Sequence, residues 1–128
     1  MSVEALRRVP LFEELDEAEL QSVADAMNEA NVPAGGVVTA EGGPGDGFFV
    51  IESGEADVTV DGEPRAALQA GDYFGEIALL LGSSRTATVT ARSDLRCHAL
   101  TPWDFRTLVE GSPSIAWKVM QSMAGRLG

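Results

Sequence analysis

Apolar residues near the start of the chain recur with the period of an α-helix. After Asp16 they are spaced three and four positions apart, which is typical of one buried helix face. The residues on this face are Leu20, Val23, Ala24 and Met27. Asp16 followed by Glu19 is an acidic variant of the capping box that marks a helix start. We therefore predict helices over residues 2–27, the first of them short, from Ser2 to Val9.

The middle of the chain has no sustained helical period, and glycine or proline interrupts it every few residues. Short apolar runs bounded by turn-forming residues predict β-strands. The predicted strands are Val37 to Ala40, Phe48 to Ser53, Ala56 to Val60, Arg65 to Gln69, Thr86 to Ala91 and Leu95 to Leu100. Asp61 and Gly62 predict a tight hairpin, because both residues tolerate positive φ. Evenly spaced short strands favour a β-sandwich or small barrel, which we place at residues 30–101.

A helical pattern returns after Thr101, which is followed by proline at the first helical position. Gly111 predicts the end of that helix, and Ser112 with Pro113 repeats the start signal. One row of the last helix is apolar and consists of Ile115, Val119, Met123 and Leu127. We expect Trp103 and Trp117 to pack against the rest of the domain. Helices are therefore predicted over residues 102–127.

Length and composition limit what this chain can be. At 128 residues with 45% hydrophobic positions it has material for one core, so we predict a single domain over residues 1–128. Its longest uncharged apolar run, Ile77 to Gly82, is far shorter than the roughly 20 residues of a membrane helix. The N-terminus lacks the apolar segment of a signal peptide. A cytoplasmic location without membrane insertion is predicted.

Charge and side-chain chemistry exclude further classes. The net charge of −11 would repel a nucleic acid, whose binding depends on basic patches. The single cysteine, Cys97, cannot form an internal disulfide. The single histidine, His98, cannot form a zinc cluster with it, and we interpret this histidine as structural. No cofactor, metal or enzymatic activity is predicted.

The stretch from Gly71 to Ala91 contains the best candidate for a binding site. Arg85 lies nine positions after Glu76, which itself follows Gly75. A fixed guanidinium, free amides at a helix start and a glycine that permits close backbone approach suit a small phosphate-bearing ligand.

The residues FGEIALL (74–80) and RTATVTA (85–91) resemble the phosphate-binding cassette of cyclic nucleotide-binding domains. That family includes catabolite activator proteins, regulatory subunits of cAMP-dependent kinases and cyclic-nucleotide-gated channels. The glycine turns at 35–36 and 42–45 and the segment FFVIESG (48–54) also match its barrel in order and approximate spacing. The resemblance implies a mainly β fold: a double-stranded β-helix, or jelly-roll, with N-terminal helices, a cassette helix over 76–81 and two C-terminal hinge helices.

The resemblance also implies residue roles. Gly75 would let the backbone approach the sugar, and Glu76 would accept a hydrogen bond from the ribose 2′-hydroxyl. Arg85 would pair with an equatorial oxygen of the cyclic phosphate, supported by the amides of Ala78 and Ala87. The full set of predicted ligand-binding residues is Phe74, Gly75, Glu76, Ile77, Ala78, Arg85, Thr86 and Ala87.

The sequence leaves other features of the ligand site open. Thr86 is compatible with cAMP and with cGMP, and we favour cAMP. Candidates for the apolar wall of the pocket are Val38, Phe49, Ile51, Leu79 and Val89. A lid over the base would come from Met120, Met123, Leu127 or a partner molecule.

The predicted function is a stand-alone cyclic nucleotide sensor that transmits ligand occupancy through its C-terminal helices. The expected partners are the nucleotide and, through the last helix, a second copy or an effector protein. The alternative is a degenerate domain that binds no nucleotide and docks a protein through the apolar residues of that helix. A metal-dependent cupin is a third reading, but it needs two or three histidines and the chain has one.

Overall fold

Helices lie at both ends of the chain in the computed structural model, which describes residues 1–40, 42, 47–75 and 87–127. In the last helix the side chains at 122, 123 and 125–127 lie outside the described part. The α-helices of the described residues are α1 (Val3–Arg7), α2 (Glu17–Ala26), α3 (Pro102–Gly111) and α4 (Pro113–Leu127), with a 3₁₀ turn at Pro10–Phe12. None of these described helices is long and apolar enough to cross a membrane.

The starts of α2 and α3 lie where the sequence predicts them. Asp16 and Glu19 form a reciprocal capping box, in which the Glu19 amide donates to Asp16 Oδ1 at 2.8 Å and the Asp16 amide to Glu19 Oε1 at 3.1 Å. Thr101 caps α3 by accepting from the Asp104 amide at 3.2 Å. Each cap satisfies amides that the first helical turn leaves without a partner.

Between the helices the described chain forms two antiparallel sheets of four strands. The strands are β1 (Asn28–Val32), β2 (Val37–Thr39), β3 (Phe48–Ser53), β4 (Ala56–Val60), β5 (Glu63–Leu68), β6 (Tyr73–Phe74), β7 (Thr88–Ala91) and β8 (Leu95–Leu100). One sheet has the order β1-β8-β3-β6 and the other β2-β7-β4-β5. This confirms the predicted mainly β class with helices at both ends.

Strand β1 corrects the prediction, which placed no strand before Val37. Only Ala30 and Val32 of this strand are half-buried, and its asparagine and glutamate residues disfavour strands. It forms because its backbone pairs with β8 in a five-residue register, with Ala30 opposite Cys97. Two smaller corrections are the short strand β6, which was not predicted, and the start of β5 at Glu63 rather than Arg65.

The two faces of the first sheet belong to different hydrophobic clusters. Strand β3 alternates, with Phe48 and Val50 in the cluster that packs against the helices and Ile51 in the cluster between the sheets. We call these the helical core and the sheet core. The helical core includes Leu20, Phe105, Ile115 and Val119, and the Phe48 and Phe105 rings stack with centroids 4.6 Å apart. The sheet core consists of Ile51, Ala56, Leu68, Phe74, Val89, Ala91, Leu95 and Cys97.

The two tryptophans do not pack as predicted. Trp103 is 77% exposed and Trp117 is 61% exposed. Each lies two residues from a fully buried neighbour, Phe105 in α3 and Ile115 in α4. Two residues correspond to about 200° around a helix, so each tryptophan points away from the core that its neighbour fills.

Candidate functional site

The predicted site begins at the end of β6, where Phe74 is buried in the sheet core. Phe74 pairs with Phe49 across the strands, and the two rings stack with centroids 5.0 Å apart and an interplanar angle of 10°. Aromatic stacking adds to the free energy gained by burial. Phe74 therefore fixes the direction in which the chain enters the candidate site.

Gly75 has a φ of +100°, which residues with a side chain rarely adopt. The turn before it is also fixed: Asp72 Oδ2 accepts from the Gln69 amide at 2.8 Å, and the Ile51 amide donates to the Asp72 carbonyl at 2.9 Å. The requirement for glycine at this position agrees with a backbone that approaches a ligand closely.

The site ends at Ala87, a half-buried residue in a bend just before β7. The next residues are firmly held, because β7 pairs with β2 on one side and with β4 on the other. Val89 lies opposite Val58 and is buried in the sheet core. The segment between Gly75 and Ala87 is therefore anchored at both ends on the same apolar cluster.

Residues 76–86 lie outside the described part of the chain. The predicted contacts of Glu76, Ile77, Ala78, Arg85 and Thr86, and the cassette helix over 76–81, therefore stay predictions. The described site residues are Phe74, Gly75 and Ala87, at the two ends of this segment.

The described candidates for the apolar wall do come together. Ile51 and Val89 are buried in the sheet core, and Val38 and Phe49 pack against it half-buried. Leu79 lies outside the described residues. Val58 also packs half-buried on this core. It was not among the predicted wall residues, although the alternation along β4 was a signal for it. Half-buried apolar side chains of this kind can contact a ligand without leaving the core.

The candidate lid is less well supported by the geometry. Met120 is 53% exposed on α4, and the side chains of Met123 and Leu127 lie outside the described part of the chain. Lys118 on the same helix donates to the Pro10 carbonyl at 2.6 Å and lies 3.0 Å from Glu13 Oε1. Helix α4 is thereby tied to the 3₁₀ turn near the N-terminus.

The remaining reactive side chains have structural surroundings. Burial raises the pKa of Cys97 to about 11, so its thiol is neutral and a poor nucleophile at pH 7. His98 is 4% exposed, with Nε2 3.1 Å from Glu52 Oε1 and Nδ1 3.4 Å from the N-terminal amine. Burial lowers the pKa of His98 and the amine lowers it further, while Glu52 opposes both. Among the described residues, no three acidic, histidine or cysteine side chains gather as a metal site would require.

Two arginines of the described sheets are already paired. Arg92 forms ion pairs with Asp57 and Glu55, and the hydrogen bond to Asp57 is the main reason why the pKa of Arg92 is raised. Arg96 pairs with Glu29 and Glu52. Neither of these two guanidiniums is available for a phosphate without breaking its ion pairs.

Known proteins match both the sequence and the fold. Residues 29–112 match the family model described as the cyclic nucleotide-binding domain. The chain is 41% identical over 106 residues to a cAMP-dependent protein kinase regulatory subunit of Aspergillus niger. This match covers 81% of this chain and 26% of that protein. Among the curated relatives compared, the chain spans between 26% and 34% of their length.

Solved structures agree. A structure described as Sp-2Cl-cAMPS bound to PKAR CBD2 superposes with a TM-score of 0.87 and 28% identity, over 98% of this chain and 86% of that one. The catabolite activator protein of Thermus thermophilus superposes with a TM-score of 0.80 and 28% identity, over 92% of this chain and 58% of that one. The predicted jelly-roll architecture is confirmed by these likenesses. With the family model matched from β1 to the end of α3, the chain belongs to the cyclic nucleotide-binding domain family.

Proposed function

We propose that this chain is a regulatory domain that binds cAMP in the segment between Phe74 and Ala87, and that it does so without catalysis. The observation that carries the proposal is the anchoring of both ends of this segment on the sheet core, with Gly75 in a backbone conformation reserved for glycine. The family and the nucleotide-bound relative support the ligand class.

Within this site Arg85 neutralises an equatorial oxygen of the cyclic phosphate, and the amides of Ala78 and Ala87 donate to the phosphate. Glu76 accepts from the ribose 2′-hydroxyl. A hydrogen bond to a charged group contributes about 1.5 to 3 kcal/mol, and leaving a buried anion without its partner costs more. Arg85 is therefore the residue whose loss should weaken binding most.

The preference for cAMP over cGMP rests on the relatives rather than on Thr86. Three of the similar solved structures are described as complexes with cAMP or an analogue of it. A threonine hydroxyl at position 86 can also bond to the amino group of a syn guanine, so cGMP is the competing ligand. The two nucleotides differ at the base, which the apolar wall at Val38 and Phe49 would contact.

The output of binding passes to the helices. Strand β8 ends at Leu100, and α3 begins two residues later at Pro102. A ligand changes a conformational equilibrium only through contacts that differ between the two states. Movement of α3 and α4 relative to the sheets is therefore the signal, received by a second copy or by an effector protein. A stand-alone role and a cytoplasmic location stay predictions.

Calorimetric titration with cAMP and with cGMP tests the proposal directly. We expect saturable binding of cAMP that Arg85→Ala weakens about ten- to a hundredfold, as the loss of one charged hydrogen bond implies. Arg65→Ala is the matched control, since Arg65 is exposed on the edge strand β5 and should leave the affinity unchanged. Absence of binding of either nucleotide at about millimolar concentration would refute the proposal.

A degenerate domain that docks a protein is the second candidate. The exposed side chains of Trp117 and Met120 on α4 favour it, because large apolar residues at a surface often mark an interaction site. Sedimentation of the purified chain, a pull-down with that chain and a nucleotide titration separate the two functions. A monomer that binds cAMP and captures no protein contradicts the docking function.

A further inference from the structure

A cleft of about 260 Å³ lies between α2, α3 and the end of β8, on the helical side of the first sheet. Its floor is apolar and consists of Val23, Leu100 and Leu108, of which the first two are buried. A cavity of about 150 Å³ holds a benzene molecule. The cleft therefore has room for a ligand of roughly ten non-hydrogen atoms, by proportion with that case.

The rim of the cleft carries two carboxylates, from Glu19 on α2 and Asp104 on α3. Both are held in place by helix caps. Glu19 Oε1 accepts from the Asp16 amide at 3.1 Å, and Asp104 Oδ2 accepts from the Thr101 hydroxyl at 3.0 Å. Each bond occupies one oxygen of its carboxylate, and fixing the side chain in advance reduces the entropy that a ligand would lose on binding.

These two carboxylates have no cation beside them in the part of the chain that the structure describes. Glu13 and Glu110, by contrast, each pair with a basic side chain. Lining residues of the cleft are apolar, hydroxylated or acidic, and none is basic. An apolar floor below a rim with two negative charges is complementary to a cation on an apolar body.

We propose that this cleft is a second ligand site, which binds a small organic amine with its apolar part on Val23, Leu100 and Leu108 and its ammonium between Glu19 and Asp104. The site is separate from that of the nucleotide. A cyclic phosphate would be repelled by the two carboxylates, whereas the nucleotide segment is anchored on the sheet core on the other side of the first sheet.

Three probes of similar size and different charge test the proposal on the intact chain. They are phenethylamine, which is cationic at pH 7, the neutral 2-phenylethanol and the anionic phenylacetate. We expect phenethylamine to give saturable shifts of the amide resonances of α2 and α3, with at least threefold weaker binding of the alcohol and none of the anion. Equal binding of the amine and the alcohol, or shifts spread over the whole chain, would overturn the proposal.

Variants locate the site. Glu19→Gln removes the charge but keeps the oxygen that completes the capping box. It should therefore lower the affinity for phenethylamine about two- to fivefold, which is the effect of one exposed ion pair. Glu17→Gln removes a charge from the same helical turn outside the cleft and should leave the affinity unchanged. Ala26→Leu should fill the cleft and abolish binding.

The controls keep these results interpretable. Thermal melting verifies that each variant is folded. If Glu17→Gln lowers the affinity for phenethylamine as much as Glu19→Gln does, the amine is attracted only by the negative charge of the surface and the site does not exist. If the wild-type chain binds phenethylamine no more tightly than 2-phenylethanol, that result alone refutes the proposal and no variant is needed.

Discussion

Replacing Gly54 by alanine should destabilise the fold far more than replacing Gly71, although both glycines have a φ of +94°. A Cβ at Gly54 would lie 2.3 Å from the Asp94 carbonyl oxygen and 3.1 Å from the Leu95 Cα, whereas a Cβ at Gly71 would meet nothing within 4 Å. The two substitutions therefore share the cost of positive φ and differ in the steric clash alone.

The clash at Gly54 cannot be relieved cheaply, because the neighbouring segment is fixed. The Asp94 carboxylate accepts from the Ala34 amide at 3.0 Å, and the Ser93 hydroxyl accepts from the Glu55 amide at 3.0 Å. Leu95 continues into β8 and pairs with Val32 of β1. Moving the Asp94 carbonyl by the ångström that a Cβ needs would disturb these bonds together.

These terms give the magnitude. Adopting a left-handed conformation costs a residue with a side chain about 1 to 2 kcal/mol. Overpacking against a fixed neighbour costs about 1 to 3 kcal/mol more. We expect Gly71→Ala to lower the free energy of unfolding by about 1 kcal/mol, since alanine also reduces the entropy of the unfolded chain. Gly54→Ala should lower it by the same amount plus the clash, about 2 to 4 kcal/mol in total, a large part of the stability of a typical domain.

Urea unfolding of the wild type and both variants, followed by circular dichroism and fitted with a common slope, measures these losses. The difference between the two variants isolates the clash with Asp94. Equal losses for Gly54→Ala and Gly71→Ala would refute the reasoning, because they would show that the β3–β4 turn can move away from the loop before β8.

Three further predictions concern single side chains. Asp16→Ala removes the capping box of α2 and should lower the free energy of unfolding by about 1 kcal/mol in urea titrations. Burial lowers the pKa of His98 in the folded state, so the unfolded chain binds more protons and stability should fall as pH decreases below about 6.5. His98→Gln should flatten that dependence in melts recorded from pH 5 to pH 8, and an unchanged slope would contradict it. Lys118→Met should cost about 1 kcal/mol by breaking the bond to the Pro10 carbonyl, against less than about 0.5 kcal/mol for Arg106→Met on an exposed face.

Local features of this fold could be predicted from the sequence. The caps at Asp16 and Thr101 each join residues three positions apart, so the residues that decide them lie close together in the sequence. Phe49 and Ile51 are two positions apart in β3, so the period of a strand puts both on the face toward the sheet core, where the structure has them. The role of Gly75 could not be predicted from its nearest neighbours alone. It was predicted because the surrounding motif resembles the phosphate-binding cassette, and the positive φ of Gly75 agrees with that prediction.

Features that depend on distant residues could not be predicted. Strand β1 exists because it pairs with β8, whose partner residues lie between 63 positions (Val32 and Leu95) and 71 positions (Asn28 and Ala99) further along the chain. No residue of β1 signals that pairing by itself. The prediction that both tryptophans pack was wrong for a related reason. The last helices carry apolar residues on more than one face, and only the position of the sheet decides which face is buried.

The division of the first sheet into two faces suggests how nucleotide binding could change the position of the helices. Strands β3 and β8 contribute Ile51, Leu95 and Cys97 to the sheet core and Phe48, Val50 and Leu100 to the helical core. A ligand over the sheet core can therefore act on α3 and α4 through the packing of these two strands, or along the chain where β8 leads into α3.

Val50→Ala should separate the two routes, since it loosens contact with the helical core and leaves the chain connection at Thr101 intact. If cAMP still shifts the amide resonances of α4 in that variant as in the wild type, the signal passes along the chain and not through the sheet.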